Sequence, residues 1–167
     1  MVKEIILSGN KGIALVDDDD FNELNQYKWR FVKDNGDLCY AQTNIKSEKT
    51  RCGYTTVRMH RVILKLQYNE SIDHINHNGL DNRKINLRTC NSSQNSGNRR
   101  KTKNKTSSRY KGVSLYKRNK KWDVSIYFNY NRIYLGCFDT EELAALAYNK
   151  KAVELFGDFA YLNTAVG

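Results

Sequence analysis

The chain has 167 residues, a net charge of +10 and 40% hydrophobic residues, with 11 tyrosines and 6 phenylalanines. This size suits one large domain or two small ones, and the apolar content excludes a globally disordered chain. No apolar run approaches the roughly 18 residues of a membrane span, and the N-terminus lacks a secretory signal pattern. We therefore predict a soluble, cytoplasmic protein with no membrane partner.

Cysteine spacing and charge distribution indicate which kinds of site and partner the protein has. The cysteines at 39, 52, 90 and 137 form no closely spaced pair, which favours reduced thiols over a structural zinc site or disulfides. The positive charge is concentrated after residue 98. A solvated basic surface would give the same composition, but the asymmetry favours a polyanionic partner, and the interleaved aromatic residues favour nucleic acid over a membrane surface.

Residues 1–58 are predicted to be mostly strands. Apolar runs at 5–7 and 13–16 flank a glycine-containing turn and predict a first hairpin. Runs at 29–32 and 38–41 flank Asn35-Gly36, a strong hairpin turn signal, and predict a second.

Two short helices are predicted in the same region. The acidic run 17–20 precedes Phe21, Leu24 and Tyr27 at helical spacing. Because acids are favoured at helix N-termini, this run predicts the start of a helix rather than a metal site. A further helix is predicted over 59–68, with Val62, Ile63 and Leu66 on one side.

A polar segment follows, with two of the three histidines of the chain. Residues 72–74 and 85–90 are strand candidates joined by a turn-rich loop. Asn91 followed by Gln94 is typical of a capping box, so a helix is predicted to start there.

The order and spacing of four elements in this segment resemble the HNH motif of phage and intron homing endonucleases. These elements are the pair Asp73-His74, the loop rich in Asn, Gly and Asp, the dipeptide Asn86-Leu87, and Gln94-Asn95. The resemblance implies a ββα-metal fold over about 71–98, within a nuclease domain spanning 1–98.

The resemblance also implies roles for particular residues. His74 would act as the general base of phosphodiester hydrolysis, and its ordinary pKa range suits that role at neutral pH. Asp73 and Asn95 would bind one metal ion, and their oxygen donors favour Mg²⁺ or Mn²⁺ over Zn²⁺. Asn86 would hold the loop through backbone hydrogen bonds. Neighbours on a strand point to opposite faces, so Asp73 and His74 can share a site only where the strand ends or twists.

The other two histidines have less specific predictions. His77 precedes an Asn-Gly turn, which favours a surface position in the loop over catalysis. His60 lies on the preceding predicted helix, where a buried or supporting role is favoured over metal binding.

The last third of the chain is predicted to be a basic linker and a second domain. The stretch 97–109 has six positive charges, no acid and no apolar side chain, so residues 99–109 are predicted to be a linker. Strands are then predicted at 110–116, 121–128 and 132–138. A helix through about Phe156 follows, with Thr140 as its predicted N-cap and Gly157 at its end.

This second domain, 110–167, resembles the plant ethylene-response-factor (Apetala-type) DNA-binding domain. The matching residues are Tyr110-Lys111-Gly112-Val113, Trp122, Ile126, Tyr134 to Glu142, Ala144 to Tyr148, and Gly157 to Asn163. Alternation along the strands predicts that one sheet face packs on the helix while the other faces outward. By resemblance that outer face enters the DNA major groove. Several Arg and Trp positions of the plant domain are Ser or Tyr here, so its target sequence cannot be carried over.

We predict DNA contacts from the linker and this outer face: Arg99, Arg100, Lys101, Lys111, Ser114, Tyr116, Arg118, Lys121, Tyr127, Arg132 and Tyr134.

The sequence thus predicts an α+β protein with a strand-rich N-terminal region, a ββα-metal core, and a three-stranded antiparallel sheet packed on one helix. The predicted function is that of a monomeric, homing-type endonuclease acting on double-stranded DNA, with one Mg²⁺ or Mn²⁺ and no small organic cofactor. A DNA-binding regulator with an inactive nuclease core is the alternative, disfavoured by the intact Asp73, His74 and Asn95. RNA binding is a third and weaker alternative.

Overall fold

The computed structural model describes residues 1–9, 11–34, 38–66, 70–101 and 106–164. The fold is α+β, and the strands of the described part form small antiparallel sheets. The chain divides into two compact units, Met1–Cys90 and Asn91–Gly167. The predicted nuclease boundary at 98 differs from this division by the segment 91–98, and residues 102–105 of the predicted linker lie outside the described residues.

The first unit begins with the predicted hairpin. Strand β1 (Val2–Ile6) pairs with β2 (Ile13–Asp17), which confirms the prediction, although Asn10 in the turn lies outside the described residues. Helix α1 (Asp18–Leu24) then starts with three acidic residues in its first turn, as predicted. It ends at Leu24, so Tyr27 lies beyond it.

A three-stranded sheet follows, with β4 in its centre. Strands β3 (Arg30–Lys33) and β4 (Cys39–Lys46) form the second predicted hairpin, whose Asn35-Gly36 turn lies outside the described residues. Strand β5 (Tyr54–Arg58) completes the sheet.

Helix α2 (Met59–Leu64) is shorter than the predicted helix over 59–68. The prediction is wrong beyond Leu64 because Lys65 adopts a left-handed conformation with φ of 50°, which ends the helix. Residues 67–69 of that prediction lie outside the described residues.

Two short strands frame the polar loop. Strand β6 (Ser71–His74) pairs with β7 (Leu87–Cys90), which begins two residues later than predicted because Lys84–Asn86 form a 3-10 turn. Helix α3 (Ser92–Asn98) follows and starts with the predicted capping box. The Asn91 side chain accepts a hydrogen bond from the Gln94 backbone, and the Gln94 side chain accepts one from the Asn91 backbone, at 2.8 and 2.9 Å.

The second unit contains the predicted sheet and helix. Strands β8 (Val113–Tyr116), β9 (Lys121–Phe128) and β10 (Asn131–Phe138) lie in the order β8-β9-β10. Strand β8 begins three residues later than predicted, because the chain turns at Gly112, which has φ of 75°. Helix α4 (Glu141–Phe156) covers one face of this sheet. The prediction of a three-stranded antiparallel sheet packed on one helix is therefore confirmed.

Each unit has its own hydrophobic core. In the first unit, Trp29 is 1% exposed and donates a hydrogen bond from Nε1 to the Leu24 carbonyl at 2.8 Å, in a core built from the first hairpin, α1 and α2. In the second unit, Val124 and Ile126 of β9 pack with Ala144, Tyr148 and Ala152 of α4. No helix in the described part of the chain is long and apolar enough to cross a membrane.

Candidate functional site

The loop between β6 and β7 is held by a network of side-chain amides and one carboxylate. The Asn86 carbonyl oxygens, of backbone and side chain, accept hydrogen bonds from the backbone N–H groups of Ile75 and Asn76, at 3.0 and 2.9 Å. The Asn86 Nδ2 donates to the Asp81 carbonyl at 2.7 Å. The Asp81 carboxylate in turn accepts bonds from Asn76 at 2.8 Å and from two nitrogens of Arg83 at 2.7 Å. Asn86, at the end of the loop, is thus bonded both to the start of the loop and to its middle.

The same loop is attached to the first hairpin and α1. Leu15 of β2 exchanges backbone hydrogen bonds with Leu80 and Asn82, each at 2.8 Å. The Asp17 carboxylate accepts a bond from the Lys84 backbone at 2.7 Å, and Asp20 pairs with the Lys84 ammonium at 2.8 Å. The acids at the start of α1 therefore support the loop.

Asp73 lies on β6 directly opposite Arg88 of β7. Its Oδ2 accepts hydrogen bonds from Arg88 Nη2 at 2.7 Å and Nε at 2.8 Å. Asp73 is 7% exposed, and a buried carboxylate needs such a partner to offset its lost hydration. The guanidinium fixes the orientation of this carboxylate.

His74 ends β6 in an aromatic cluster. Its ring centroid lies 5.0 Å from that of His60, edge to face, and 5.8 Å from that of Tyr40. The Arg58 guanidinium of β5 lies 4.2 Å from the centroid of the Tyr40 ring on the neighbouring strand β4. His74 is 6% exposed, and its Nε2 is buried with no hydrogen-bond partner among the described residues.

Burial controls the charge of both histidines in this cluster. Desolvation lowers the pKa of His74 below its usual value, although the Asn82 amide and the carboxylates of Asp73 and Asp81 act in the opposite direction. Desolvation, with the nearby His74 and arginines, lowers the pKa of His60 to about 3. Both imidazoles are therefore neutral at neutral pH. His60 is buried, as predicted.

The sequence did not single out Tyr40, Arg58 or Arg88. Arg88 lies within the predicted strand 85–90, and the antiparallel pairing of that strand with 72–74 is the one signal that could have placed it beside Asp73. Tyr40 and Arg58 reach the cluster through the register of β4 and β5, which no local pattern encodes.

The predicted site residues are distributed over both units. Asp73, His74 and Asn86 lie in the first unit, and Asn95 lies on α3 in the second. Within the described residues, no group of three or more His, Cys, Asp or Glu side chains could hold a metal ion. A carboxylate and an amide oxygen are nevertheless a donor set that fits Mg²⁺, because this ion takes few protein ligands and retains waters.

The outer face of the C-terminal sheet carries most of the predicted DNA contacts. Tyr127 is 62% exposed and Tyr134 58% exposed, and Ser114 and Arg132 are exposed beside them. The Tyr134 hydroxyl donates to Asp123 at 3.1 Å. A shallow hollow on this face is lined by Tyr116, Asn119, Asp123, Arg132, Tyr134 and Cys137.

The basic residues predicted to contact DNA differ in their surroundings. Arg99, Arg100 and Arg118 are exposed, and Lys121 pairs with Asp139 at 2.8 Å. Lys101 and Lys111 instead donate from Nζ to backbone carbonyls: Lys101 to Tyr110 at 2.7 Å, and Lys111 to Gly97 at 2.7 Å.

Comparison with known proteins gives two kinds of similarity. The chain is 34% identical over 159 residues to "Uncharacterized HNH endonuclease L560" of Acanthamoeba polyphaga mimivirus, covering 95% of this chain and 79% of the relative. It is 41% identical over 61 residues to "AP2-like ethylene-responsive transcription factor TOE2" of Arabidopsis thaliana, covering 36% of this chain and 13% of the relative. A similar match, 40% identical over 57 residues, covers 34% of this chain and 13% of "APETALA2-like protein 2" of Oryza sativa subsp. japonica. No protein-family model and no solved structure matches the chain.

Proposed function

Because the chain belongs to the HNH endonuclease family, we propose that it is a site-specific, homing-type endonuclease that hydrolyses a phosphodiester bond of duplex DNA with one Mg²⁺ or Mn²⁺. The observation that carries this proposal is the state of His74, which is neutral and buried. Its Nε2 has no hydrogen-bond partner among the described residues, and it directly follows Asp73 at the start of the loop. A buried polar atom without a partner costs free energy, and such costs are concentrated at functional sites.

His74 would serve as the general base. A base must be deprotonated before it can accept the proton of the attacking water, and burial keeps this imidazole neutral at neutral pH. Its edge-to-face contact with His60 limits rotation of the ring, so the orientation of the imidazole is fixed.

Asp73 and Asn95 would hold the metal ion. When bound there, Mg²⁺ would neutralise charge that develops on the phosphate oxygens. Arg88 fixes the Asp73 carboxylate from the neighbouring strand, and orientation of a ligand by a bonded partner is a common requirement of metal sites. The pairing of Asp73 with Asn95 at one ion rests on the resemblance to the HNH motif.

The outer face of β8, β9 and β10 would bind the duplex. Its exposed tyrosines provide hydrogen-bonding groups, and Arg132 provides a positive charge. The similarity of about a third of the chain to plant AP2-like proteins supports the assignment. Contacts to phosphates from the arginines after α3 would add affinity that does not depend on sequence.

Cleavage of supercoiled plasmid carrying candidate target sites tests the proposal. We expect cleavage with Mg²⁺ or Mn²⁺ and none with EDTA. His74→Ala should lower the cleavage rate by about 10²- to 10⁴-fold, the usual cost of a lost general base, while DNA affinity is retained.

His77→Ala is the matched control, because this second histidine lies in the same loop but is not one of the proposed catalytic or metal-binding residues. It should cleave at nearly the parental rate. Full activity in a well-folded His74→Ala variant would refute the assignment. A parent protein that binds target DNA but never cuts it would favour the regulator with an inactive nuclease core.

A further inference from the structure

Helix α3, which carries Asn95, is tied into the second unit along its last turn. The Gly97 carbonyl accepts a hydrogen bond from the Tyr161 backbone N–H at 3.2 Å. A Cβ on Gly97 would lie 2.6 Å from the Phe156 ring, so the helix backbone packs directly against this ring. Phe156 is the last residue of α4, and Tyr161 follows that helix.

Lys111 binds the same end of α3. Its Nζ donates to the carbonyls of Gly97 at 2.7 Å and Ser96 at 3.2 Å. The last carbonyls of a helix have no partner within the helix and carry partial negative charge, so a lysine ammonium stabilises them through both hydrogen bonds and charge.

The backbone of Lys111 is fixed from the opposite side. Its N–H donates to the Asn163 side-chain oxygen at 2.7 Å, and its carbonyl accepts from the Asn163 Nδ2 at 3.0 Å. Asn163 exchanges two further bonds with the Asn149 side chain of α4, both at 2.7 Å. Lys111 therefore connects α4 to the end of α3 through a defined chain of hydrogen bonds.

The surroundings of Lys111 differ from those of a solvent-exposed lysine that can contact DNA. Burial lowers the pKa of Lys111 to about 8, and its ammonium lies 5.8 Å from the centroid of the Tyr161 ring. A long side chain is buried at such a cost only where its contacts compensate for the lost hydration, and here the two carbonyls that accept from the ammonium both belong to α3.

We propose that Lys111 is a positioning residue for Asn95: by binding the carbonyls at the end of α3, it fixes the helix that presents this metal ligand. The inference rests on the proposed function, in which Asn95 binds the ion. The capping box of Asn91 and Gln94 holds the first turn of α3, and Lys111 holds the last. Asn95 lies between these two fixed ends.

Binding of Mn²⁺ alone to the full chain, followed by electron paramagnetic resonance, tests the proposal without reference to cleavage. Lys111→Met should weaken Mn²⁺ binding about 3- to 10-fold, the range expected for one or two lost hydrogen bonds. Hydrogen exchange at the amides of 92–98 should accelerate in the same variant, while exchange in the middle of α4 stays as in the parent. Lys111→Arg, which keeps the charge and the donors, should recover most of the affinity.

Lys101→Met is the matched control, because Lys101 also donates to a backbone carbonyl, but that carbonyl belongs to Tyr110 rather than to α3. It should leave Mn²⁺ affinity unchanged. If Lys111→Met does not fold, Gly97→Ala disturbs the same helix end through the Phe156 ring and should give the same two effects.

Two further variants separate this inference from the proposed function. If neither Asp73→Ala nor Asn95→Ala weakens Mn²⁺ binding, the proposed metal ligands are wrong. If both weaken it while Lys111→Met and Gly97→Ala bind Mn²⁺ as the parent does, the positioning role of Lys111 is overturned and the proposed ligands stand. Weakened DNA binding by Lys111→Met, with unchanged Mn²⁺ affinity and exchange, would also overturn it.

Discussion

Burial determines the protonation state of the two histidines in the aromatic cluster around His74. His60 and His74 are both less than 10% exposed, and desolvation outweighs the attraction of the carboxylates near His74. Neutral imidazoles are the result. The arrangement suits a base that works near neutral pH, and it makes the fold sensitive to acid.

His60 should account for a measurable part of this acid sensitivity. Its pKa is about 3 in the folded chain and about 6.5 when exposed, so the unfolded chain binds one more proton between these pH values. The stability that depends on neutral His60 is present above pH 6.5 and is lost as the pH falls towards 3. The expected slope is up to about 1.4 kcal/mol per pH unit. Urea unfolding at pH 7 and pH 4.5 measures it.

His60→Phe should fold with a similar ring packing and show a smaller loss of stability between these two pH values. The slope should not vanish, because the pKa of His74 is also lowered. Identical slopes for the parent and His60→Phe would show that His60 does not titrate as its burial requires.

Local signals in the sequence predicted most of the helices and strands. The hairpins, the acidic start of α1, the capping box of α3 and all three strands of the second unit follow from turn residues, caps and alternation. The 3-10 turn at Lys84–Asn86 did not, because Lys84 is bonded to Asp17 and Asp20, which are distant along the chain. The end of α2 at Lys65 did not either, because lysine has no preference for the left-handed backbone that it adopts there. The sequence placed Asp73 and His74, and the antiparallel pairing of the two predicted strands could have placed Arg88 beside Asp73. It held no sign of the Tyr40 contact with His74, because that contact depends on how separate strands are arranged.

The turn into β8 depends on a glycine for two reasons. Gly112 has φ of +75°, and a Cβ there would overlap the Tyr148 ring and lie 2.6 Å from the Ser125 carbonyl oxygen. We expect Gly112→Ala to destabilise the second unit by about 3 kcal/mol or more, the cost of backbone strain combined with displaced core packing. Thermal unfolding measures the loss.

Gly53 provides a matched control. It has φ of +73°, but a Cβ added there would meet no described atom within 4 Å. Gly53→Ala should therefore cost only about 1 kcal/mol, from backbone strain alone. Equal losses for the two variants would mean that contact with Tyr148 and Ser125 contributes nothing.

The outer face of the C-terminal sheet gives a test of DNA binding that leaves the chemistry untouched. Arg132 pairs with Tyr127 across β9 and β10 and precedes the partly buried Ile133, so it faces away from α4. Arg132→Ala should weaken duplex binding by about 1–3 kcal/mol, as expected for the loss of one arginine contact to a base or phosphate. The single-turnover cleavage rate at saturating DNA should stay close to that of the parent.

Filter binding and single-turnover cleavage together separate these effects. A melting curve that matches the parent excludes unfolding of the sheet. A well-folded variant with parental affinity would show that this face does not bind DNA through Arg132.

The two compact units do not coincide with the domains that the motifs suggest. The HNH-like segment extends through Asn95, yet the second unit begins at Asn91 and includes α3. The sequence could not reveal this, because the contacts of Gly97 with Phe156 and Tyr161 join residues that are distant along the chain.

Fragments that begin at residues 91 and 110 should therefore differ in stability. Both contain the sheet, α4 and their shared core, and both should fold and bind duplex DNA with an affinity that falls steeply as salt rises. The longer fragment should melt higher, by about 4–8 °C for each kcal/mol that α3 contributes. Equal melting temperatures would show that α3 adds nothing to the second unit.

The packing of Gly97 against Phe156 also determines where the chain can be joined to a different C-terminal domain. A gene fusion that replaced all residues after 98 would keep α3. It would lose Phe156 and Lys111, whose side chains contact that helix. A junction before Asn91 would take α3 from the same protein as the sheet and α4, so the helix would keep the residues that it packs against. The residue at position 95 would then also come from that protein. Exchange of the whole second unit would therefore also replace Asn95, a proposed metal ligand.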